Sequence, residues 1–167
     1  LPVPRALAER GLLVLCAQNR YFKNDSALIF EKALLDLGHC IRHAKEVLGY
    51  RRVVLIGWSG GGPLITYYQS QAEHPTVTQT PAGDPVDIAA AGLIAAYAVI
   101  FQAASISRAR ILAEYIDPSV SDELVPEKRN VELDIYDPRN PHQPPYSSDF
   151  IAAYRAAQLA RVRRITG

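Results

Sequence analysis

The hydrophobic positions of the chain alternate between short, continuous apolar runs and longer stretches with helical spacing. Runs of branched apolar residues bounded by turn residues are typical of buried strands, and they predict strands at residues 12–16, 53–56 and 98–101. Apolar residues spaced three or four apart predict amphipathic helices around these strands. The predicted helices cover residues 1–10, 25 or 26 to 48, 63–73, 105–116, and 147 or 148 to the C-terminal arginines.

Strands and helices that follow one another at these lengths indicate right-handed crossovers and a parallel sheet. The fold class predicted from this order is α/β. Gly11 and Gly49 are expected to end the first two helices. Two polar stretches interrupt the order. Residues 74–87 predict a surface loop, and the proline-rich residues 117–145 predict a lid or a disordered segment.

One predicted turn contains candidate catalytic residues, Gly57-Trp58-Ser59-Gly60-Gly61. A buried strand is predicted before it, and Pro63 suits the first turn of the helix after it. Strand, G-x-S-x-G and helix make the layout of a nucleophile elbow, in which a strained backbone lifts the serine hydroxyl clear of the sheet. We expect Ser59 to be the nucleophile, with Gly57 and Gly61 supplying positions without side chains. The Gly60 N–H is expected to face a developing oxyanion at the positive end of the helix dipole.

Two other interpretations of this turn remain open on sequence alone. A glycine-rich strand-to-helix turn can be purely structural, without chemistry. A phosphate-binding loop is disfavoured because the stretch lacks G-x-x-x-x-G-K-[ST], and because Gly57, Gly60 and Gly62 do not fall as G-x-G-x-x-G. The nucleophile elbow is therefore the preferred interpretation.

A catalytic serine needs a histidine base that an acid orients, and downstream of Ser59 the chain offers His74 and His142. His74 is expected at the far end of the elbow helix, away from the serine. Asp134 or Asp137 with His142 follows the order of serine, acid and histidine found in elbow enzymes. The spacing from Asp137 to His142 is too short for an acid and a base that follow two successive strands, so an exposed loop is the preferred interpretation.

Two further clusters are weighed against ordinary structural roles. His39, Cys40 and His43 place two imidazoles one helical turn apart, which could chelate a metal ion. The glutamate of H-E-x-x-H is absent and no third ligand is evident, so no metal site is predicted. Four arginines of the last helix could bind a phosphate or a partner, although a solvated helix face is favoured. They are Arg155, Arg161, Arg163 and Arg164.

Composition narrows the classes of function. The 167 residues carry a formal charge of +1 and are 49% hydrophobic, which suits one domain with a sizeable core. Near-neutral charge gives no electrostatic reason to expect binding to nucleic acid or to an anionic membrane. Residues 88–104 are the most apolar stretch, yet they are short for a membrane span and are expected in the core. Cys16 and Cys40 are expected to be buried thiols in a reducing compartment, which predicts a cytoplasmic protein.

The elbow and its surroundings resemble the α/β-hydrolase superfamily over most of the chain up to about Ser105. On this resemblance, residues 1–104 form part of a parallel, three-layer α/β-hydrolase-like core. Residues 105–167 then form a helical cap or lid. The loop before the second helix matches the D-x-R-G-x-G-x-S loop of such enzymes only at Arg20, so no chemistry is transferred to it.

The resemblance implies a serine hydrolase that cleaves an ester, thioester or related acyl bond of a small molecule through a Ser59 acyl-enzyme, without a cofactor. The segments that bear the second oxyanion donor, the acid and the histidine are missing from these residues. The chain is therefore interpreted as the middle portion of such an enzyme or as a truncated relative. We expect a homo-oligomer or a complementing chain at the exposed sheet edges. The alternative is a non-catalytic α/β module that binds a ligand or partner.

Overall fold

A computed structural model describes residues 2–24 and 26–166 of the chain. Within these residues the chain forms five α-helices and two β-strands. In chain order they are α1 (Pro2–Ala8), α2 (Phe30–Arg42), β1 (Val54–Trp58), α3 (Gly61–Glu73), β2 (Ala98–Gln102), α4 (Arg108–Tyr115) and α5 (Ser148–Thr166). The chain divides into two compact units, Leu1–Ile106 and Ser107–Gly167. The sequence predicts that the core ends at residue 104, and the first unit ends two residues later.

The sheet of the first unit has two parallel strands. β1 and β2 run side by side, with Trp58 opposite Gln102 at their carboxyl ends. The predicted three-layer α/β-hydrolase-like core is wrong, because the described residues supply two strands and not a multi-stranded sheet between two layers of helices.

The predicted strand at residues 12–16 is also wrong. This run is irregular, and its leucines stay about half exposed because no described strand pairs with it. A run of branched apolar residues becomes a strand only where a neighbour accepts its backbone hydrogen bonds. Cys16, expected to be buried in this strand, is exposed.

The core of the first unit lies on one face of β1. Burial alternates along this strand, so that Leu55 and Gly57 face inward while Val54, Ile56 and Trp58 are exposed. Both faces of a parallel sheet are normally covered, and here only one is. The inward face packs with buried side chains of α2 and α3, namely Leu34, Ile41, Ile65 and Tyr68.

Tyr68 anchors the connection that leads to β2. Its side chain is fully buried, and its hydroxyl donates to the Ile94 carbonyl at 2.9 Å. Removal from water also raises the pKa of the Tyr68 phenol above its ordinary value.

The apolar stretch 88–104 enters the core as predicted at Ile88 and Ala96. No helix in the described part of the chain is long and apolar enough to cross a membrane.

The second helix differs from its prediction at both ends. α2 begins at Phe30 without a side-chain cap, so Ser26 is not the N-cap, and Asp25 lies outside the described residues. After α2 the backbone continues as one π-helical turn, His43–Val47. Gly49, at φ +76°, ends it in a conformation that a residue without Cβ adopts readily. The predicted end of the helix is confirmed.

Two helices with serine caps frame the second unit. Ser107 Oγ accepts the N–H of Arg110 at the start of α4, and Ser147 Oγ accepts the N–H of Phe150 at the start of α5. Gln158 of α5 is buried and donates to two carbonyls at the end of α4, those of Glu114 and Ile116. These bonds satisfy carbonyls that a helix end otherwise leaves without partners.

Residues 117–145 have a repeated local structure instead of a long helix or strand. Six Asp or Asn side chains each accept the backbone N–H two residues later, which is the hydrogen bond of an Asx turn. The accepting residues are Asp117, Asp122, Asn130, Asp134, Asp137 and Asn140. The segment expected as a lid or as disorder is therefore a chain of turns closed by its own side chains.

Candidate functional site

The backbone around Ser59 is a sharp strand-to-helix turn. β1 ends at Trp58, Ser59 follows at φ +51°, and Gly60 is the N-cap of α3. A non-glycine residue at positive φ is uncommon, and such strain concentrates at functional sites. The order of strand, strained serine and helix is the layout that the sequence predicts for a nucleophile elbow.

Steric limits explain two glycines of this turn. A Cβ on Gly57 would lie 2.6 Å from the Gly61 carbonyl oxygen and 2.8 Å from Ile65 Cδ1. A Cβ on Gly62 would lie 2.5 Å from the Ala104 Cβ. A Cβ on Gly61 would meet nothing within 4 Å. The close approach of backbone therefore needs glycine at positions 57 and 62, and the expectation that Gly61 serves this purpose is not met.

Backbone hydrogen bonds fix the turn from both sides. The Ser59 N–H donates to the Gln102 carbonyl at 3.1 Å, and the Ser59 carbonyl accepts the N–H groups of Gly62 and Ser105 at 3.1 and 3.2 Å. The loop after β2 is strained in the same way, because Ala103 has φ +44°. Sequence reasoning missed this second loop, since an alanine carries no signal for a positive φ.

The first backbone N–H groups of α3 are free to bind an anion. Neither Gly60 nor Gly61 donates its N–H to an acceptor among the described residues. Such groups at a helix N-terminus, together with the helix dipole, favour a negative charge. They lie directly after Ser59 in the chain, where an oxyanion would form if the serine attacked a carbonyl group.

The serine and its preceding tryptophan are open to solvent. Ser59 is exposed, and 63% of the Trp58 surface is accessible. No described residue forms a hydrogen bond with Ser59 Oγ. The hydroxyl is therefore accessible to a substrate, but no base among the described residues of the first unit contacts it.

Of the two histidines considered as bases, one is distant from Ser59 along α3 and the other stacks on an aromatic ring. His74 follows the last residue of α3, and a helix of 13 residues is about 20 Å long, which separates His74 from Ser59. His142 belongs to the second unit, where its ring stacks on Phe150 at 4.2 Å between centroids.

The acids considered as partners of His142 form ion pairs. Asp134 accepts from Arg129 at 3.2 Å. Asp137 accepts from Arg139, and these hydrogen bonds lower the pKa of the Asp137 carboxyl to about 2. The described hydrogen bonds include none between either carboxyl group and His142. The acid and the base of the candidate triad are therefore not hydrogen-bonded to each other.

The cluster His39, Cys40 and His43 borders an open hollow of about 520 Å³. The described residues contain no group of three or more histidine, cysteine or acidic side chains able to hold a metal ion. His39 Nδ1 lies 2.7 Å from the Leu35 carbonyl oxygen, so this nitrogen carries the proton in the neutral ring. Cys16 also lines this hollow, which sequence reasoning missed.

Three of the four arginines of α5 have hydrogen-bond partners among the described residues. Arg161 and Arg164 both bind Glu123, and their hydrogen bonds lower the pKa of that carboxyl to about 2. Arg155 donates to the Glu114 carbonyl and to Gln158. These contacts agree with a structural role for Arg155, Arg161 and Arg164, whereas Arg163 is exposed.

Arg20, which matches the hydrolase loop at a single position, also has a structural partner. It binds Asp36 of α2 through its backbone N–H and its guanidinium, with the shortest contact at 2.6 Å. These bonds lower the pKa of the Asp36 carboxyl from its ordinary value. The pair holds the loop of residues 18–24 onto α2.

Comparison with known proteins adds no relative. No protein family, curated protein or solved structure matches the chain. The arguments for its function are therefore those of residue type and geometry.

Proposed function

We propose that Ser59 is the nucleophile of a serine hydrolase that acts on an ester, thioester or related acyl bond of a small molecule. The observation that carries the proposal is the positive φ of an exposed serine between strand β1 and a helix N-terminus. The resemblance to α/β-hydrolases supports it at this turn alone, since the described residues form no multi-layer core.

The chemistry follows from the groups around the turn. Ser59 Oγ attacks the carbonyl carbon of the substrate, and the carbonyl oxygen takes the negative charge. The N–H groups of Gly60 and Gly61 stabilise this charge, and the leaving group departs to give an acyl-enzyme that water hydrolyses. Removing one such donor in a serine protease reduces the rate about 10²–10³-fold, so these two N–H groups are a large part of the proposed activity.

The base is the part that the described residues do not provide. General-base catalysis contributes about 10²–10⁴-fold, so the chain alone is expected to turn over acyl substrates slowly. We propose that the imidazole comes from a different, complementing chain that docks at the open sheet. The two free thiols of the chain support a reducing, cytoplasmic location.

A fluorophosphonate probe tests this proposal, because it phosphonylates activated serines. The chain is treated with the probe with and without added imidazole, and the labelled residue is mapped by peptide mass spectrometry. Ser59 should be labelled, and imidazole should raise the rate at least about tenfold. The matched control is Ser70, which is exposed on α3 and has ordinary helical surroundings.

Labelling that is equal at Ser59 and Ser70, with or without imidazole, would overturn the proposal. The second candidate function, a non-catalytic module that binds a ligand or partner, would then be preferred. The observation that favours this alternative is the absence of any described hydrogen-bond partner on Ser59 Oγ.

A further inference from the structure

Two thiols border the same hollow in the first unit. The hollow has a volume of about 520 Å³, and Cys16 and Cys40 are both among its lining residues. Cys16 is exposed, Cys40 is partly buried, and neither is in a disulfide. The two cysteines come from different parts of the chain, an irregular segment and helix α2, and the fold places both at the border of this hollow.

The donor set does not favour a metal ion. Tetrahedral sites need three or four ligands that converge on one point, and no such group exists among the described residues. Two thiols that share one hollow without further ligands have a different chemistry available to them, which is covalent bond formation between the sulfur atoms.

The segment that carries Cys16 is able to move. Residues 13–18 form no backbone hydrogen bond within the described part of the chain. Leu13 and Leu15 are each about half exposed, so little buried surface holds this segment in place. Segments with few buried contacts and few hydrogen bonds open at low free energy. Cys40, by contrast, lies in the last turn of α2, which packs against the core.

We propose that Cys16 and Cys40 form a reversible, redox-active pair in which Cys16 closes onto Cys40 when a low-molecular-weight disulfide is present. The inference is independent of the function proposed for Ser59. It assigns a modification site to this hollow, with a small disulfide such as oxidised glutathione as the oxidising substrate.

The reaction balances as two thiol–disulfide exchanges. The Cys16 thiolate attacks one sulfur of oxidised glutathione, the sulfur–sulfur bond breaks, and one glutathione leaves as a thiolate that takes up a proton. The Cys40 thiolate then attacks Cys16 Sγ and displaces the second glutathione in the same way. Two protein thiols lose two electrons and two protons, and one disulfide becomes two thiols.

Intact mass spectrometry without reductant tests the proposal on the full chain. After treatment with oxidised glutathione, the wild-type chain should be lighter by two hydrogen atoms and should carry no glutathione. Iodoacetamide should alkylate both cysteines before treatment and neither afterwards. The variant Cys40→Ser should retain glutathione on Cys16, at a level at least about tenfold above the mixed disulfide in wild type, because the second thiol acts at a high effective concentration.

The variant Cys16→Ser is the matched control, because it leaves the partly buried Cys40 without its partner. It should not show the loss of two hydrogen atoms. Glutathione retained on Cys16 of the wild-type chain would overturn the proposal, as would a disulfide between two chains through Cys16. A chain that keeps both thiols free, under conditions that oxidise a dithiol peptide, would overturn it too. Circular dichroism of each variant distinguishes these outcomes from misfolding.

Discussion

The amide of Ser59 donates to the carbonyl of Gln102 at 3.1 Å, immediately beyond the last paired residues of the two strands. The carbonyl of the same serine accepts the N–H of Ser105, in the loop that follows β2. The last residue of β2 and the loop after it thus hold the serine at φ +51°. A strained conformation persists only where its surroundings determine it, and here the neighbouring strand and loop do so.

The close approach at Gly57 leads to the first prediction. Gly57→Ala places a Cβ 2.6 Å from a backbone oxygen, and overpacking of this kind costs about 1–3 kcal/mol of unfolding free energy. Gly61→Ala is the matched control, because its Cβ meets nothing within 4 Å, and it should change the unfolding free energy by less than about 1 kcal/mol. Urea unfolding followed by circular dichroism measures both. Equal losses of unfolding free energy in the two variants would show that the close contact at Gly57 does not determine the stability of the turn.

The strain at Ser59 leads to the second prediction. Ser59→Gly should raise the unfolding free energy by about 0.5–1 kcal/mol, since glycine adopts a positive φ without the Cβ penalty. The same change at Ser70, exposed on α3, should lower it by about 0.5–1 kcal/mol, since glycine weakens a helix. Thermal unfolding of both variants gives the comparison. Destabilisation by Ser59→Gly as large as that of Ser70→Gly would argue against strain at this position.

The pair of arginines on Glu123 leads to a prediction about pH. Their hydrogen bonds lower the pKa of the folded-state carboxyl to about 2, below the ordinary value of about 4.3. The stability that this carboxylate contributes is therefore complete above the unfolded-state pKa and is lost as the pH falls towards about 2. The unfolding free energy of Glu123→Gln should depend less on pH between about 5 and 2 than that of wild type.

The control for this variant is Glu127→Gln, in the same unit. Glu127 is exposed and forms no described ion pair or hydrogen bond, so its substitution should leave the pH dependence unchanged. Urea midpoints at pH values across this range provide the measurement. A pH dependence that survives Glu123→Gln in full would assign it to other carboxyl groups.

The sequence predicts the elements around the elbow because their signals are local. Branched residues before Gly57 form β1, although only one face of this strand is buried, and the apolar spacing after Pro63 forms most of α3. Ser147 is confirmed as the cap of α5 because a cap depends on residues within one turn. These predictions needed no knowledge of distant contacts.

The predictions that fail depend on partners at a distance. Residues 12–16 have the composition of a strand, but no neighbouring strand satisfies their backbone. The same lack of a partner strand explains why the predicted three-layer core is wrong and why Cys16 is exposed. The turns of residues 117–145 could have been predicted, since each begins at an Asp or Asn, whose side chains favour such turns.

The central claim is that Ser59 is a nucleophile whose base is missing from the described residues, and acylation by an activated ester tests it most directly. Mass spectrometry should find one acyl group on Ser59 in the presence of imidazole, at least about tenfold less without it, and none in Ser59→Ala. Ser70→Ala should behave as wild type. Acylation that persists in Ser59→Ala would contradict the claim that Ser59 is the nucleophile. A rapid Ser59-dependent burst without imidazole would contradict the claim that the base is missing.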